Sequence, residues 1–250
     1  YGDRMMLGVF EGANSPDFSD ALPFYMITDS PNNDRLTNKV VNISRGFRYV
    51  RYVSPDGGRC MVSELRFFGH KGEGDDTELW RPTVLPLISI HIADNREVTS
   101  RSTYLDGTYT AIYPDDDDAQ RAKLQADSLR IRGRGNASWD FPKKPYRLKL
   151  SSKKHLAGMK AKAKDWTVIN NYGDKTLIRN LVAFETSRIF GLAWTPDGKL
   201  VDVMVNGEYK GTYQLCDQVE VHGDRVNVQK MDADDNDGDS IQGGYLLELD

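Results

Sequence analysis

Apolar and polar residues alternate with a period of two in several segments of this chain, and such alternation predicts β-strands. Residues 47–53 are instead rich in strand-forming residue types and predict a strand, Ser-Pro-Asp-Gly-Gly at residues 54–58 predicts a turn, and residues 60–68 supply a second strand. Residues 85–93 alternate, with Ile88, Ile90 and Ile92 on one face. The Asp-Gly pair at residues 106–107 predicts a tight turn between two short extended segments, residues 103–104 and 108–113.

The period becomes helical after residue 174. Asp174 is a candidate N-cap, apolar residues follow at helical spacing, and Gly191 is the stop signal. Beyond it, Asn206-Gly207 predicts a hairpin between strands at residues 201–205 and 208–215. We therefore expect an α+β architecture with antiparallel strands and one long helix.

The composition is that of a folded globular protein, with 39% hydrophobic and 28% charged residues. The formal net charge of −4 argues against nucleic acid as a partner. No apolar run approaches the roughly 20 residues that a membrane-spanning helix needs, so we expect no membrane-spanning segment. The two cysteines, Cys60 and Cys216, are interpreted as small buried residues and not as a disulfide.

Positive charge is concentrated in residues 130–150, where seven of 21 positions are Lys or Arg and none is Glu. A glycine-containing turn, a basic pair and an alternating strand in this order are suited to cradle a polyphosphate. On the predicted strand, two basic residues share a face that is either an active-site wall or the solvated side of a sheet. Lys143 and Lys144 are the first candidate phosphate ligands, and the alternatives are Arg132, Arg134, Arg147 and Lys149.

Carboxylates suited to phosphoryl transfer lie near the end of the sequence. Asp250 directly follows the strand-like run Tyr-Leu-Leu-Glu-Leu, where a strand delivers a carboxylate to the edge of a core. Glu248 would lie on the same face of that strand and is a second candidate metal ligand. Asp224 is the other candidate catalytic carboxylate, and Asp217 and Glu220 are alternatives for its role.

Other kinds of site find little support. Tyr146 and Tyr245 could stack on an adenine ring, although buried aromatic residues usually belong to a core. The four histidines lack zinc spacing, and no Walker motif or Gly-x-Ser-x-Gly elbow is present. The acidic run at residues 115–118 is interpreted as a solvated loop, and residues 232–239 fail the EF-hand pattern.

Arg-Gly-Arg-Gly-Asn-Ala-Ser-Trp at residues 132–139, followed by Pro-Lys-Lys-Pro-Tyr-Arg-Leu-Lys-Leu at 142–150, resembles the signature of the spore coat protein H (CotH) kinase family. Three later segments, at residues 164–180, at 205–213 and at 219–228 with 243–250, are similar to this family in the same order. The resemblance implies an atypical protein-kinase-like α+β domain over residues 84–250 that continues beyond the given sequence. It also implies ATP and Mg²⁺ as cofactors and a role for Asp250 in binding the magnesium nucleotide.

The first 69 residues resemble part of a galactose-binding-like (discoidin, F5/8 type C) β-sandwich. The resemblance lies in an Arg-Tyr-Val strand, at residues 51–53, and a Glu-Leu-x-Phe-Phe-Gly strand, at residues 64–69. Residues 70–83, rich in glycine and acidic residues, are interpreted as a linker. A glycan is a possible partner of this first domain by fold analogy alone.

The functional expectation is an ATP- and magnesium-dependent kinase that phosphorylates Ser or Thr of exported or surface proteins. The alternative is a non-catalytic cell-surface protein that binds carbohydrate or acts as a scaffold. Both ends of the chain are interpreted as cuts in a longer exported protein, so we expect an extracellular, surface or periplasmic location.

Overall fold

The computed structural model describes residues 2–33, 35–41, 45–55, 62, 64–69, 84–114 and 122–247. The first three strands form an antiparallel sheet in the order β2–β1–β3. Their bounds are Val9–Ala13 for β1, Leu22–Met26 for β2 and Tyr49–Val53 for β3.

Seven further strands close into a barrel with the neighbour order β10–β8–β7–β6–β5–β4–β9, and β9 pairs back with β10. Their bounds are Leu87–Ile92 for β4, Leu105–Pro114 for β5, Ala122–Gly133 for β6, Tyr146–Lys154 for β7, Ala163–Ile169 for β8, Gly198–Val205 for β9 and Glu208–Asp217 for β10. Every pairing is antiparallel except that of β4 with β9, which is parallel.

The interior of the barrel is the main hydrophobic core. Inward side chains alternate with outward ones, as on β7, where Tyr146, Leu148 and Leu150 are buried and the intervening basic residues are partly exposed. The largest side chains fully enclosed there are Trp166, Tyr109 and Tyr213. Because each strand supplies one apolar face to a closed surface, the barrel buries its core without a covering helix.

The N-terminal sheet packs on the outside of the barrel. Val9 of β1 and Leu22 of β2 form a second apolar cluster with Leu87, Ile112 and Met204 of the barrel strands. The outer side of β4 is therefore covered, and every residue of this strand is buried. One face of β4 thus lies in the barrel core and the other lies against the N-terminal sheet, so neither face is exposed to solvent.

The expected α+β kinase-like fold is wrong: the described chain is mostly β and is dominated by a closed barrel. The predicted helix exists, but it runs from Arg179 to Ile189 (α1), and none of its residues is buried. Apolar residues at helical spacing therefore produced a helix that takes no part in the core. No helix in the described ranges is long and apolar enough to cross a membrane.

Some local predictions also need correction. The turn expected at residues 106–107 is absent, because Gly107 lies inside the ten-residue strand β5 and pairs with Ile92 and Leu129. Residues 64–69 are not in a strand, so the second strand of the expected N-terminal pair is not formed there. The proposed linker at residues 70–83 lies outside the described residues, and the boundary between domains stays a prediction.

Candidate functional site

The outer face of β6 and β7 carries a group of basic side chains, Arg130, Arg132, Arg147 and Lys149, which we call the cationic face. The strand register places Arg130 opposite Lys149 and Arg132 opposite Arg147. Like charges directly opposite each other destabilise an antiparallel pair. The register with the outer strands places Asp106 of β5 opposite Arg130 and Asp165 of β8 opposite Lys149, so acidic residues flank these basic pairs.

The two flanking aspartates compensate only part of this positive charge. The Nη2 atom of Arg147 lies 3.2 Å from Oδ1 of Asp165 on β8. Within the described part of the chain, no carboxylate forms an ion pair with Arg130, Arg132 or Lys149. The cationic face therefore retains a local positive potential that attracts anions.

The two arginines of β6 are held in place by neighbours from the segment before β5. Their guanidinium carbons lie 5.3 Å (Arg130) and 5.1 Å (Arg132) from the centre of the Tyr104 ring. Arg132 also donates hydrogen bonds from Nη1 to the backbone carbonyls of Arg101 and Gly133. These contacts orient the β6 part of the cationic face before any ligand binds.

Arg134 extends the positive charge beyond the end of β6. Burial lowers the pKa of its guanidinium, and the neighbouring charges of Arg147 and Arg132 act in the same direction, whereas the nearby Cys216 opposes them. Cys216 itself is a buried free thiol, and burial raises its pKa to about 12. The structure therefore brings three of the candidate phosphate ligands, Arg134, Arg147 and Lys149, into one neighbourhood.

The two lysines of the basic pair diverge from each other. Lys143 donates from Nζ to the carbonyl of Thr212 and lies 4.2 Å from the centre of the Tyr213 ring, and burial lowers its pKa. Lys144 instead donates to the carbonyl of Trp139 at 2.8 Å and lies 5.3 Å from the centre of that indole. Both ammonium groups already have acceptors in the protein, and which of them contacts a phosphate stays a prediction.

Asp224 lies in a turn after β10. Its Oδ2 atom accepts a hydrogen bond of 2.9 Å from the backbone N–H of Lys162, and this bond lowers the pKa of its carboxyl. Its own N–H donates to Nδ1 of His222 at 3.1 Å. Asp224 therefore joins the turn after β10 to the β7–β8 connection.

The alternative carboxylates, Asp217 and Glu220, are both paired with Arg225. Nε of this arginine lies 3.0 Å from Oδ1 of Asp217, and Nη1 lies 2.5 Å from Oε1 of Glu220. The guanidinium carbon of Arg225 also lies 4.8 Å from the centre of the Trp166 ring, and the arginine side chain is fully buried. Burial raises the pKa of Asp217 although Arg225 opposes this. These charges hold the segment after β10 against the barrel.

The aromatic candidates lie in different environments. Tyr146 is only 6% exposed and packs inside the barrel, with its ring centre 5.9 Å from that of Tyr213. Tyr245 is 54% exposed and donates from its hydroxyl to the carbonyl of Ile241. An adenine ring could reach Tyr245 without a rearrangement of the barrel, whereas Tyr146 is enclosed.

The candidate magnesium ligands cannot be placed on this surface from the described residues. No group of three or more His, Cys, Asp or Glu side chains in the described ranges could hold a metal ion. Glu248 and Asp250, the two candidate metal ligands, lie outside the described residues. The cationic face thus fits the phosphates of a nucleotide, and the ligands of its metal ion stay a prediction.

Sequence reasoning named neither Arg130 nor Tyr104 as part of the site. Arg130 could have been found from the alternation of apolar and basic residues at positions 129–132. Alternate residues of a strand share a face, so Arg130 belongs with Arg132. Tyr104 is more than 20 residues away in sequence, and only the pairing of β5 with β6 brings it near.

Comparison with known proteins gives one family match. The family model described as CotH kinase protein matches residues 130–250. No curated protein matches the chain. The matched segment begins at Arg130 and contains the complete cationic face, α1 and the carboxylates near Arg225. The part of the chain that carries the candidate site is therefore similar to the CotH kinase proteins.

Proposed function

We propose that this protein is an atypical ATP- and magnesium-dependent protein kinase that phosphorylates Ser or Thr hydroxyls of exported or surface proteins. The observation that carries the proposal is the cationic face, which lies within the segment matched by the CotH kinase family. Phosphoryl transfer depends mainly on positioning and on neutralising phosphate charge, and a preformed set of cations supplies the second requirement.

In this proposal Arg134, Arg147 and Lys149 bind the triphosphate, because they lie together and are partly exposed. Lys143 or Lys144 would join them after release from its carbonyl acceptor. Among the carboxylates, we propose Asp250 with Glu248 for the metal ion and Asp224 with Asp250 for catalysis.

The described residues have two tasks in such a reaction. The basic side chains fix the phosphates in one orientation, and the barrel strands beneath them keep these side chains at fixed spacings. The bound magnesium would neutralise charge on the phosphates.

The test is a calorimetric titration of the protein with ATP in the presence of Mg²⁺, which measures the ATP affinity. We expect Arg147→Gln/Lys149→Gln to weaken ATP binding at least about tenfold, which is 1.4 kcal/mol. The matched control is Lys160→Gln/Lys175→Gln, which removes the same charge from two exposed lysines outside the cationic face. Thermal denaturation checks that each variant folds.

Transfer of phosphate from labelled ATP to an added protein is the second measurement, and it should require Mg²⁺. Absence of ATP binding by the wild-type protein, or equal weakening in both double variants, would overturn the proposal. Oligosaccharide binding without any nucleotide binding would favour the non-catalytic surface protein instead.

A further inference from the structure

The connection between β6 and β7, residues 134–145, carries the basic pair, and we call it the basic loop. The N–H of Arg134 donates a hydrogen bond of 3.2 Å to the carbonyl of Pro145, so the two ends of the basic loop are joined. The directions of the two lysine side chains depend in addition on the peptide unit between Lys143 and Lys144. A residue that fixes this peptide unit therefore controls the basic pair.

Asn170 is such a residue. It is the first residue after β8 and is only 3% exposed. Its Nδ2 atom donates a hydrogen bond of 2.6 Å to the carbonyl of Lys143 and another of 3.2 Å to the carbonyl of Ser138. One side-chain amide thus bridges the two arms of the basic loop, and both of its donor hydrogens have an acceptor there.

The two lysines leave the fixed peptide unit in different directions. Nζ of Lys143 donates to the carbonyl of Thr212 on β10, and Nζ of Lys144 donates to the carbonyl of Trp139 within the basic loop. Because a peptide unit is planar and rigid, its rotation would carry both side chains away from these positions. Asn170 therefore determines where both ammonium groups lie, although its amide donates to backbone carbonyls.

The neighbouring Asn171 has a different task. Its Nδ2 atom donates to the carbonyl of Leu177, just before α1, at 2.9 Å. Its Oδ1 atom accepts a hydrogen bond of 3.1 Å from Asn180 on α1. Asn170 thus holds the basic loop and Asn171 holds the entry to α1, so the first contact can be removed while the second stays in place.

We propose that Asn170 is a positioning residue of the nucleotide site, which acts through the basic pair and not by contact with the nucleotide. The inference rests on the proposed kinase function and adds a residue that shapes its phosphate-binding part. The basic loop leads directly into β7, which carries Arg147 and Lys149. A lysine of the basic loop exchanges a neutral carbonyl for a phosphate oxygen there, and a hydrogen bond between two charged groups is the stronger one. A loop that is already ordered loses less entropy when ATP binds.

The first test is a calorimetric titration with ATP and Mg²⁺, repeated with adenosine. We expect Asn170→Ala to weaken ATP binding at least about tenfold, and Asn170→Ser about threefold because its hydroxyl keeps one donor. The affinity for adenosine should stay within about twofold of wild type, since adenosine has no phosphate for the basic pair to bind. Equal weakening of ATP and adenosine would indicate a general structural role and overturn the inference, as would an unchanged ATP affinity.

The matched control is Asn180→Ala, which removes a side-chain amide on α1 and leaves the basic loop intact. Its ATP affinity should stay within about twofold of wild type. Thermal denaturation checks that each variant folds, and Asn170→Ser carries the test if Asn170→Ala does not fold.

The second test asks whether Asn170 acts through the lysines. In the variant Lys143→Gln/Lys144→Gln, the addition of Asn170→Ala should change ATP affinity by less than about twofold, because residues that act as one unit have non-additive effects. A further tenfold loss in this background would overturn the inference.

Hydrogen exchange of the basic loop separates this inference from the kinase proposal. The amides of residues 134–145 should exchange at least about tenfold faster in Asn170→Ala than in wild type, whether or not ATP binds. Faster exchange together with no ATP binding by the wild-type protein would overturn the kinase proposal and leave the hold of Asn170 on the basic loop supported. ATP binding by the wild type with unchanged exchange in Asn170→Ala would overturn the role of Asn170 and leave the kinase proposal standing.

Discussion

At the scale of the residue, buried charge collects where the N-terminal sheet meets the barrel. Glu11 of β1 is completely buried, and its Oε1 atom lies 2.5 Å from Nε of Arg51 on β3. On the barrel side, His91 is 7% exposed, and its Nε2 atom lies 3.5 Å from Oγ of Ser89. Burial raises the pKa of Glu11, whereas burial, followed by the charge of Arg51, lowers the pKa of His91 to about 4. The carboxylates of Asp20 and Asp17 only partly oppose this lowering of the His91 pKa.

We predict that His91 makes the stability of the protein depend on pH. Between pH 6.5 and about 4 the unfolded chain binds a proton at this position and the folded chain does not, so stability falls as the pH falls through this window. A shift from 6.5 to about 4 corresponds to about 3 kcal/mol at 1.36 kcal/mol per pH unit. The measurement is urea denaturation at several pH values on wild type and His91→Gln.

Glu11 has the opposite effect on stability. Because its pKa is raised in the folded state, the folded protein binds a proton there more readily than the unfolded chain, and this contribution to stability increases as the pH falls. The difference between wild type and His91→Gln isolates the histidine, since Glu11 is present in both proteins. A pH profile of the same slope for both would contradict the prediction.

At the scale of the element, the β9–β10 hairpin links the two sheets. Asn206 and Gly207 have φ angles of 52° and 78°, as a type I′ turn requires. Oδ1 of Asn206 accepts a hydrogen bond of 2.8 Å from the N–H of Ile92, at the end of β4. The turn also presses against the N-terminal sheet, because a Cβ atom on Gly207 would lie 2.9 Å from Val53 and 3.1 Å from Glu11.

We predict that Gly207→Ala destabilises the protein by about 2 kcal/mol. The substitution places a side chain in the left-handed region and into contact with both Val53 and the buried carboxylate. Gly223→Ala is the control, since a Cβ atom there meets nothing within 4 Å and should change stability by less than about 0.5 kcal/mol. Chemical denaturation of the two variants gives the comparison, and equal midpoints would refute the proposed contact.

At the scale of the whole molecule, stability resides in the barrel and not in the helix. Leu148 on β7 is 0% exposed inside the barrel, whereas Ile189 at the end of α1 is 76% exposed. Val182, Phe190 and Leu192 are also exposed. These apolar side chains in and after α1 are therefore not part of a hydrophobic core in the described part of the chain.

Substitution by alanine should separate these two environments. We predict that Leu148→Ala costs about 3 kcal/mol, because it leaves a cavity in the core. Ile189→Ala should change stability by less than about 0.5 kcal/mol, since little of its side chain is buried. Thermal and urea denaturation of both variants measure the difference, and a comparable loss for Ile189→Ala would mean that α1 is packed in solution.

The sequence by itself determined the features that depend on neighbouring residues. The Asn-Gly pair correctly predicted the β9–β10 hairpin, and the alternation on β7 correctly placed Arg147 and Lys149 on one face, because both signals are local. The grouping of basic residues within residues 130–150 also indicated where the cationic face would be, although the roles of its members stay predictions.

Only the tertiary structure decided how these elements combine. Barrel closure requires β4 to pair with β9, more than 100 residues later, and no local pattern encodes that pairing. The same long-range packing kept Gly107 inside a strand, left α1 outside the core and brought Tyr104 to the arginines of β6. A period of two or 3.6 specifies which face of an element is apolar, but the free energy of burial depends on which partner covers that face.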